Sequence, residues 1–224
     1  EVYNYPELYE RYQNNYPFSS HSDCEVILPL YQELGIAETA LQLDAEFALI
    51  IWDQKLGKLF AARDPIGIRP LFYGYSALDG KIMFASEVKV LSPLCTDVFA
   101  FPPGHYYDGG GQFICYRDIS KVTEFHHDPI DKVLVEIRDR LIEGVRKRLV
   151  ADVPVGYLLS GGLDSSLVCG IAAHVLKKPL ITFAVGLNKN PIDLPYARKV
   201  ADFIHSEHHE VLFDRDDTLN CVRD

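Results

Sequence analysis

The stretch Tyr157-Leu158-Leu159-Ser160-Gly161-Gly162-Leu163-Asp164-Ser165-Ser166 constrains this chain more than any other. The apolar run before it, Val153 to Leu159, is short enough for a buried strand, and Leu167 to Lys178 after it reads as a helix. Between the two stands a loop with adjacent glycines, serines and an aspartate. A strand, a tight glycine turn and a helix N-terminus together make an anion site. Glycine lets the backbone approach a ligand, and the first helical turn offers N–H groups and the positive end of the dipole. Ser160, Ser165 and Ser166 can donate to phosphate oxygens. Asp164 cannot serve phosphate directly, and a carboxylate there makes sense if a divalent cation bridges it to the phosphates. An ordinary turn and helix cap would use the same residue types. The string has neither the Gly-Lys-Ser/Thr ending of a Walker loop nor the spacing of the dinucleotide-binding fingerprint.

The bulk numbers exclude several classes. With 224 residues the chain holds one large domain or two small ones. A net charge of −10 argues against a general nucleic-acid binder. No run reaches the roughly 18 apolar residues of a membrane helix, and no signal peptide is evident. The five cysteines are scattered and lack a Cys-x-x-Cys pair. That pattern fits reduced thiols in a cytoplasmic protein, most of them small buried residues, better than disulfides or a zinc site. The opening on Glu1 and the close on Asn220 to Asp224 read as a fragment cut at both ends.

Along the chain, Glu1 to Tyr5 has strand character ending at Pro6. Ser22-Asp23-Cys24-Glu25 carries the capping-box pattern. It predicts a helix through Val26, Ile27, Leu30 and Leu34 that stops at Gly35 and is kinked or shortened by Pro29. Phe47 to Trp52 reads as a buried strand and Lys58 to Arg63 as the next. Asp79-Gly80 between Leu71–Tyr75 and Lys81–Ser86 predicts a hairpin, and so does Asp108 to Gly111 between His105–Tyr107 and Gln112–Tyr116. Residues 1–117 therefore predict a strand-rich domain with one early helix, and 118–131 a polar linker. Lys132 to Leu149 is an amphipathic helix, with Val133, Ile137, Leu141, Val145 and Leu149 on one stripe. Leu180–Gly186, a helix over Asp193–Ile204 and a strand over Glu210–Phe213 complete an alternating pattern, which predicts a parallel sheet over 132–224. The glycine loop then lies at the carboxyl end of its strand, where open α/β sheets bind ligands.

Two resemblances arise from these residues. The Ser160–Ser166 string resembles the pyrophosphate-binding loop of the N-type ATP pyrophosphatases, which split ATP into AMP and pyrophosphate. The strings Glu1–Tyr5, Ser22–Ile27, Leu43–Ala48, Ala62–Leu71, Ala85–Lys89 and Phe101–His105 resemble the glutamine amidotransferase domain of glutamine-hydrolysing asparagine synthetases. Asp152–Gly156, Phe183–Leu187 and His208–Glu210 resemble the synthetase domain of the same family, in the same order. The resemblance implies an α+β amidotransferase sheet of the N-terminal-nucleophile type, followed by an α/β ATP-pyrophosphatase domain. It implies that a cysteine at the N-terminus of the mature protein releases ammonia from glutamine, with its α-amine as base. ATP would activate the aspartate side chain as an acyl adenylate. Ammonia arriving through an internal tunnel would displace AMP, with Mg²⁺ balancing the phosphate charge.

Carried over by position, Ser160, Gly161, Gly162, Leu163, Asp164, Ser165 and Ser166 would hold the pyrophosphate end of ATP, and Asp164 would reach the metal. Leu159 and Val185, at two strand ends, would contact the adenosine part. Glu1 and Asp23 would bind the glutamine head group, although an acid such as Asp23 is also favoured in a first helical turn. Cys24 is expected to be a packed core thiol, His208 and His209 to face opposite sides of a strand, and His126-His127 to be solvated. Arg63 and Arg69 are expected to be scaffold. The chain departs from the family pattern in lacking the nucleophilic cysteine and the Asn-Gly expected before Glu1. The loop Asn188–Asp193 is also one residue longer than usual. The piece is therefore expected to be inactive alone. Glutamine, aspartate and ATP are the implied substrates, in a cytoplasmic enzyme and possible homodimer with no nucleic-acid or membrane partner. The rivals are a β-lactam synthetase-like cyclase without glutaminase activity and a non-catalytic scaffold derived from a synthetase.

Overall fold

The computed structural model describes residues 1–125, 127–151 and 153–221; the expectations on His126 and Asp152 fall outside them. The chain forms two compact units, Glu1–His126 and His127–Asp224.

In the first unit, Val2 makes one bridge to Ala45, and then helix α1 runs from Tyr5 to Tyr12. The strand expected over residues 1–5 is thus a single bridge. Pro6 stands at the start of α1, where its fixed φ and missing N–H suit a first turn, so it begins a helix as well as ending an extended segment. Ser22 caps a 3₁₀ turn, Asp23–Val26, by accepting the Cys24 N–H at 3.3 Å. Glu25 does not close the expected box onto Ser22; its carboxylate reaches farther back, to the N–H groups of Ser19 and Ser20, both at 2.8 Å. Helix α2, Ile27–Gln42, is broken at Gly35, whose φ of 74° and ψ of 175° are not helical. The stop read from Gly35 is therefore a break between two helical segments. Pro29 falls in the first turn of α2, where the N–H it lacks has no helical partner to lose.

The next strands are β1 (Ala48–Asp53), β2 (Lys58–Arg63), β3 (Phe72–Ser76), β4 (Ile82–Ala85), β5 (Cys95–Ala100), β6 (His105–Tyr107) and β7 (Phe113–Cys115), with a short helix α3 (Val88–Leu91) before β5. They build two antiparallel sheets, ordered β1-β2-β6-β7 and β4-β3-β5. Both predicted hairpins form, β3 with β4 and β6 with β7. Strand β1 is not buried on both faces: Leu49 and Ile51 point into the core shared with Leu30 and Ile36 of α2, whereas Trp52 is 61% exposed. Antiparallel strands need only one covered face. Strand β5 and helices α1, α3 and α7 were not expected.

The second unit alternates: α4 (Ile130–Lys147), β8 (Gly156–Leu158), α5 (Leu163–Leu176), β9 (Ile181–Leu187), α6 (Leu194–Ile204), β10 (Glu207–Phe213) and α7 (Arg215–Cys221). The sheet is parallel, in the order β10-β9-β8, as the alternation requires. Its core gathers Leu159, Cys169, Ala172, Leu180, Ala184, Leu194, Ala197 and Ala201. Helix α4 buries only the end of its stripe, at Val145; Ile137 and Leu141 are exposed. Helix α5 starts at Leu163 rather than Leu167, so Asp164, Ser165 and Ser166 belong to its first turn and not to the loop.

Candidate functional site

The glycine loop leaves the carboxyl end of β8. Leu159 N–H still bonds to Phe183 O on β9 at 2.8 Å, which extends the ladder by one bond before the chain turns. The Leu159 side chain is 1% exposed and anchors the loop from below. Burying a leucine this fully contributes about 1.5–3 kcal/mol. With its side chain packed inward, Leu159 presents its backbone rather than its side chain at the strand end.

The two glycines are not equivalent. Gly161 has φ +80°, and a Cβ there would lie 2.4 Å from Ala197 N and 2.5 Å from the Tyr196 carbonyl carbon. Only glycine fits, because the turn sits directly on the backbone of α6. Gly162 caps α5 with φ −72°, and a Cβ there would meet only the Ser160 hydroxyl, at 3.4 Å. Nothing inside the protein requires its bareness.

The hydroxyls of Ser160 and Ser165 bond to each other at 2.9 Å, and Ser165 Oγ accepts the Ser160 N–H at 3.2 Å. Ser166 donates to Gly162 O at 2.6 Å within its own helix. Serving a phosphate would require these hydroxyls to exchange loop bonds for ligand bonds. Leu163, at 81% exposure, and Asp164 face outward beside them. Val185 lies two positions inside the end of β9 and is exposed, so it offers a side chain where Leu159 does not. Among the described residues no group of three or more His, Cys, Asp or Glu side chains could hold a metal. One carboxylate beside hydroxyls and helix N–H groups suits Mg²⁺ shared with a polyphosphate, since that ion keeps waters and takes few protein ligands.

In the first unit, the chain brings Glu1 and Asp23 together. Asp23 Oδ2 accepts the Val2 N–H at 2.7 Å, next to Glu1, whose backbone pairs with Glu46. Cys24 is exposed and lies in the 3₁₀ turn, which corrects its reading as a core thiol. Partial desolvation, then the Asp23 carboxylate, push its pKa up, which opposes a thiolate nucleophile. Of the other cysteines, Cys95 and Cys169 are buried while Cys115 and Cys221 are exposed, so the thiols are less buried than their type suggests.

Arg63 is scaffold, as expected: its guanidinium donates to Arg69 O, Phe101 O and Gly67 O at 2.7–2.9 Å. Sequence reading missed its neighbour. Asp64, 1% exposed, accepts the N–H groups of Ile66, Gly67, Ile68 and Arg69. His208 and His209 do face opposite ways: His208 Nδ1 lies 2.9 Å from the buried Thr182 hydroxyl, and His209 Nε2 lies 3.1 Å from Glu207. Sequence reading also missed Arg198, which grips Glu210 through Nε and Nη2 at 2.6–3.1 Å. No local spacing announces a pair between a helix and the next strand.

Known proteins match both units. A family model described as a glutamine amidotransferase domain matches residues 1–106, and one described as asparagine synthase matches residues 136–224. The whole chain is similar to a Schizosaccharomyces pombe protein named probable asparagine synthetase (glutamine-hydrolysing), at 45% identity, and covers 43% of it. It is 40% identical to Arabidopsis thaliana asparagine synthetase 2 over 40% of that protein's length. It is 38% identical to Saccharomyces cerevisiae asparagine synthetase 1 over 45% of that length. The chain thus spans less than half of the curated relatives it matches. Among the described residues, no helix is long and apolar enough to cross a membrane.

Proposed function

Because this chain joins a glutamine amidotransferase domain to an asparagine synthase domain and is related along its whole length to the glutamine-hydrolysing asparagine synthetases, we propose that the protein it represents makes asparagine from aspartate, with glutamine as the nitrogen donor and ATP as the energy source. The observation that carries this reading is the open turn at Gly162, at the carboxyl end of a parallel strand and the start of α5. In this reading residues 1–117 belong to an amidotransferase sheet of the N-terminal-nucleophile type, 118–131 are a linker, and 132–224 belong to an ATP-pyrophosphatase fold.

The first-turn N–H groups of α5, with the hydroxyls of Ser160, Ser165 and Ser166, bind and orient the β- and γ-phosphates. Gly162 lets the backbone come within hydrogen-bond range of them. The aspartate side-chain oxygen attacks the α-phosphorus, the bond to pyrophosphate breaks, and β-aspartyl-AMP forms. Holding the departing pyrophosphate against the helix N-terminus stabilises the charge that develops on it. Ammonia then attacks the acyl carbon and AMP leaves, giving asparagine once a proton is lost. Asp164 would hold Mg²⁺, which neutralises phosphate charge when bound. Val185 lies against the adenosine portion. Glu1 and Asp23 take the α-ammonium of glutamine, and the thiol that attacks its amide is none of the cysteines in this chain. The protein acts in the cytoplasm, and a homodimer is compatible with this reading. The matched relatives favour neither the β-lactam-forming nor the scaffold alternative.

The test is release of pyrophosphate from ATP by the intact protein. Release that depends on aspartate, with asparagine formed when glutamine is added, supports the proposal. Release triggered by another carboxylate and not by aspartate would overturn it.

A further inference from the structure

We infer that Arg198 and Glu210 are positioning residues for the glycine loop, and that their ion pair sets the affinity of the loop for the pyrophosphate end of its nucleotide. The inference rests on reading that loop as a phosphate site. Gly161 has no gap beneath it: the Cβ it lacks would overlap the backbone of Tyr196 and Ala197, so the floor of the turn is α6 itself. A shift of α6 across the sheet must therefore carry the turn with it. Three contacts fix α6. Leu194 fills the space over Gly186 of β9, where an added Cβ would lie 2.7 Å from Leu194. Ala197 and Ala201, both fully buried, let the helix approach closely. Arg198, the residue after the one that touches Gly161, then ties the helix to β10 through Glu210, with Nε and Nη2 on Oε1 and Nη2 also on Oε2.

A two-donor grip on one carboxylate opposes sliding of α6 along its own axis and adds to the apolar contacts. The Glu210 side chain is 21% exposed; His208 Nε2 stands 3.7 Å from its Oε1 without a hydrogen bond, while His208 Nδ1 meets the Thr182 hydroxyl. Thr182 precedes Phe183, whose carbonyl accepts the Leu159 N–H at the entrance to the loop. Arg198 thus joins α6, the floor of the loop, to a strand residue that stands beside the β9 positions leading to the loop entrance. An exposed ion pair usually contributes little to stability. The value of this one lies in where it holds α6.

The test measures Mg-ATP, Mg-pyrophosphate and adenosine binding by calorimetry on the whole chain and on Arg198→Met, Arg198→Lys and the charge-swapped pair Arg198→Glu with Glu210→Arg. The expected result is about tenfold weaker binding of Mg-ATP and Mg-pyrophosphate by Arg198→Met. Adenosine binding should be unchanged. Arg198→Lys should recover part of the affinity, because an ammonium cannot grip with two donors in a plane. The charge-swapped pair should recover more than either of its single changes. Unchanged Mg-pyrophosphate affinity in Arg198→Met, or equal loss of adenosine affinity, would overturn the inference and leave the loop reading standing. If Arg198→Met does not fold, the charge-swapped pair decides, and a folded pair with no recovery overturns it. Failure of the unaltered chain to bind either phosphate ligand would remove the loop reading and this inference together.

Discussion

Two turns in this protein, one leaving β2 and one leaving β8, both contain a glycine at positive φ, an aspartate and nearby donors. One closes on itself and the other stays open. After β2, Asp64 lies inside the turn and takes four backbone N–H groups, while Arg63 takes carbonyls from the outer side. The turn has its own anion. After β8, the carboxylate nearest the turn, Asp164 in the first turn of α5, is exposed, and the serine hydroxyls are spent on one another and on Gly162. In the first turn a carboxylate serves the converging N–H groups; in the second, serine hydroxyls accept those of Ser160 and Gly162, and the proposed function has a phosphate take their place.

The sharpest way to break this contrast is to remove Asp64. Asp64→Ala removes the buried carboxylate that four N–H groups of this part-buried turn share, and the expected loss is about 2 kcal/mol of stability. Chemical denaturation measures it. Mg-ATP binding per folded molecule should not change. A variant as stable as the parent would show that the turn around Asp64 does not depend on its internal anion.

Next comes the inequality of the two glycines. Gly161→Ala must move α6 or abandon φ +80°, and the expected cost is about 1–3 kcal/mol, read as a lower melting temperature. Gly162→Ala meets no such obstacle and should change stability by less than about 0.5 kcal/mol. Its methyl group would stand where the phosphates approach, so Mg-ATP affinity should fall about tenfold or more while the fold persists. Equal effects of the two substitutions on stability would erase the distinction between a glycine the fold needs and one the ligand needs.

Asp164→Asn is subtler. The side chain is exposed at the first turn of α5, so loss of its charge should cost stability about 0.3–1 kcal/mol at most, through the helix dipole. Binding of ATP with Mg²⁺ should weaken, and binding of ATP in excess chelator should not. An equal loss with and without the ion would mean that Asp164 does not reach a metal.

The open turn was legible in the sequence because its parts are local: a short apolar run, a glycine pair, polar residues, then helical composition. The hairpins at Asp79-Gly80 and Asp108–Gly111 were legible for the same reason. The difference between Gly161 and Gly162 was not, since it depends on α6, more than thirty residues onward. The same holds for the Arg198–Glu210 grip and for the burial of Asp64, whose Arg-Asp string reads equally well as surface charge. Helix α1 was hidden because Pro6 ends one kind of element and begins another. Cys24 was misread because residue type predicts burial only on average; at the start of a capped turn a nearby side chain, Val26, takes the inward position instead.

The smallest expected effect comes from a third carboxylate set among backbone donors, and it tests whether burial is the reason Asp64 matters. Glu25 accepts the N–H groups and hydroxyls of Ser19 and Ser20. It sits at the surface. The Ser20 hydroxyl first, then the Ser19 N–H, lower its pKa from 4.5 to about 2. A carboxylate whose pKa is lower in the folded state favours folding while ionised. Its contribution is therefore complete above the unfolded value of 4.5 and is lost as pH falls through about 2. Glu25→Gln should be slightly less stable than the parent at pH 7, and the two melting temperatures should converge as the pH is lowered from 4.5 towards 2. Side-chain NMR titration of Glu25 should place its midpoint well below that of an unperturbed glutamate. A difference that persists undiminished at the acid end would mean that the serine loop is held by the shape of the Glu25 side chain and not by its charge, and water would then be the sufficient partner for such donors wherever they are exposed. That outcome would confine the need for an internal anion to buried turns such as the one around Asp64, and it would leave the exposed donors of the α5 turn free to wait for a ligand in water.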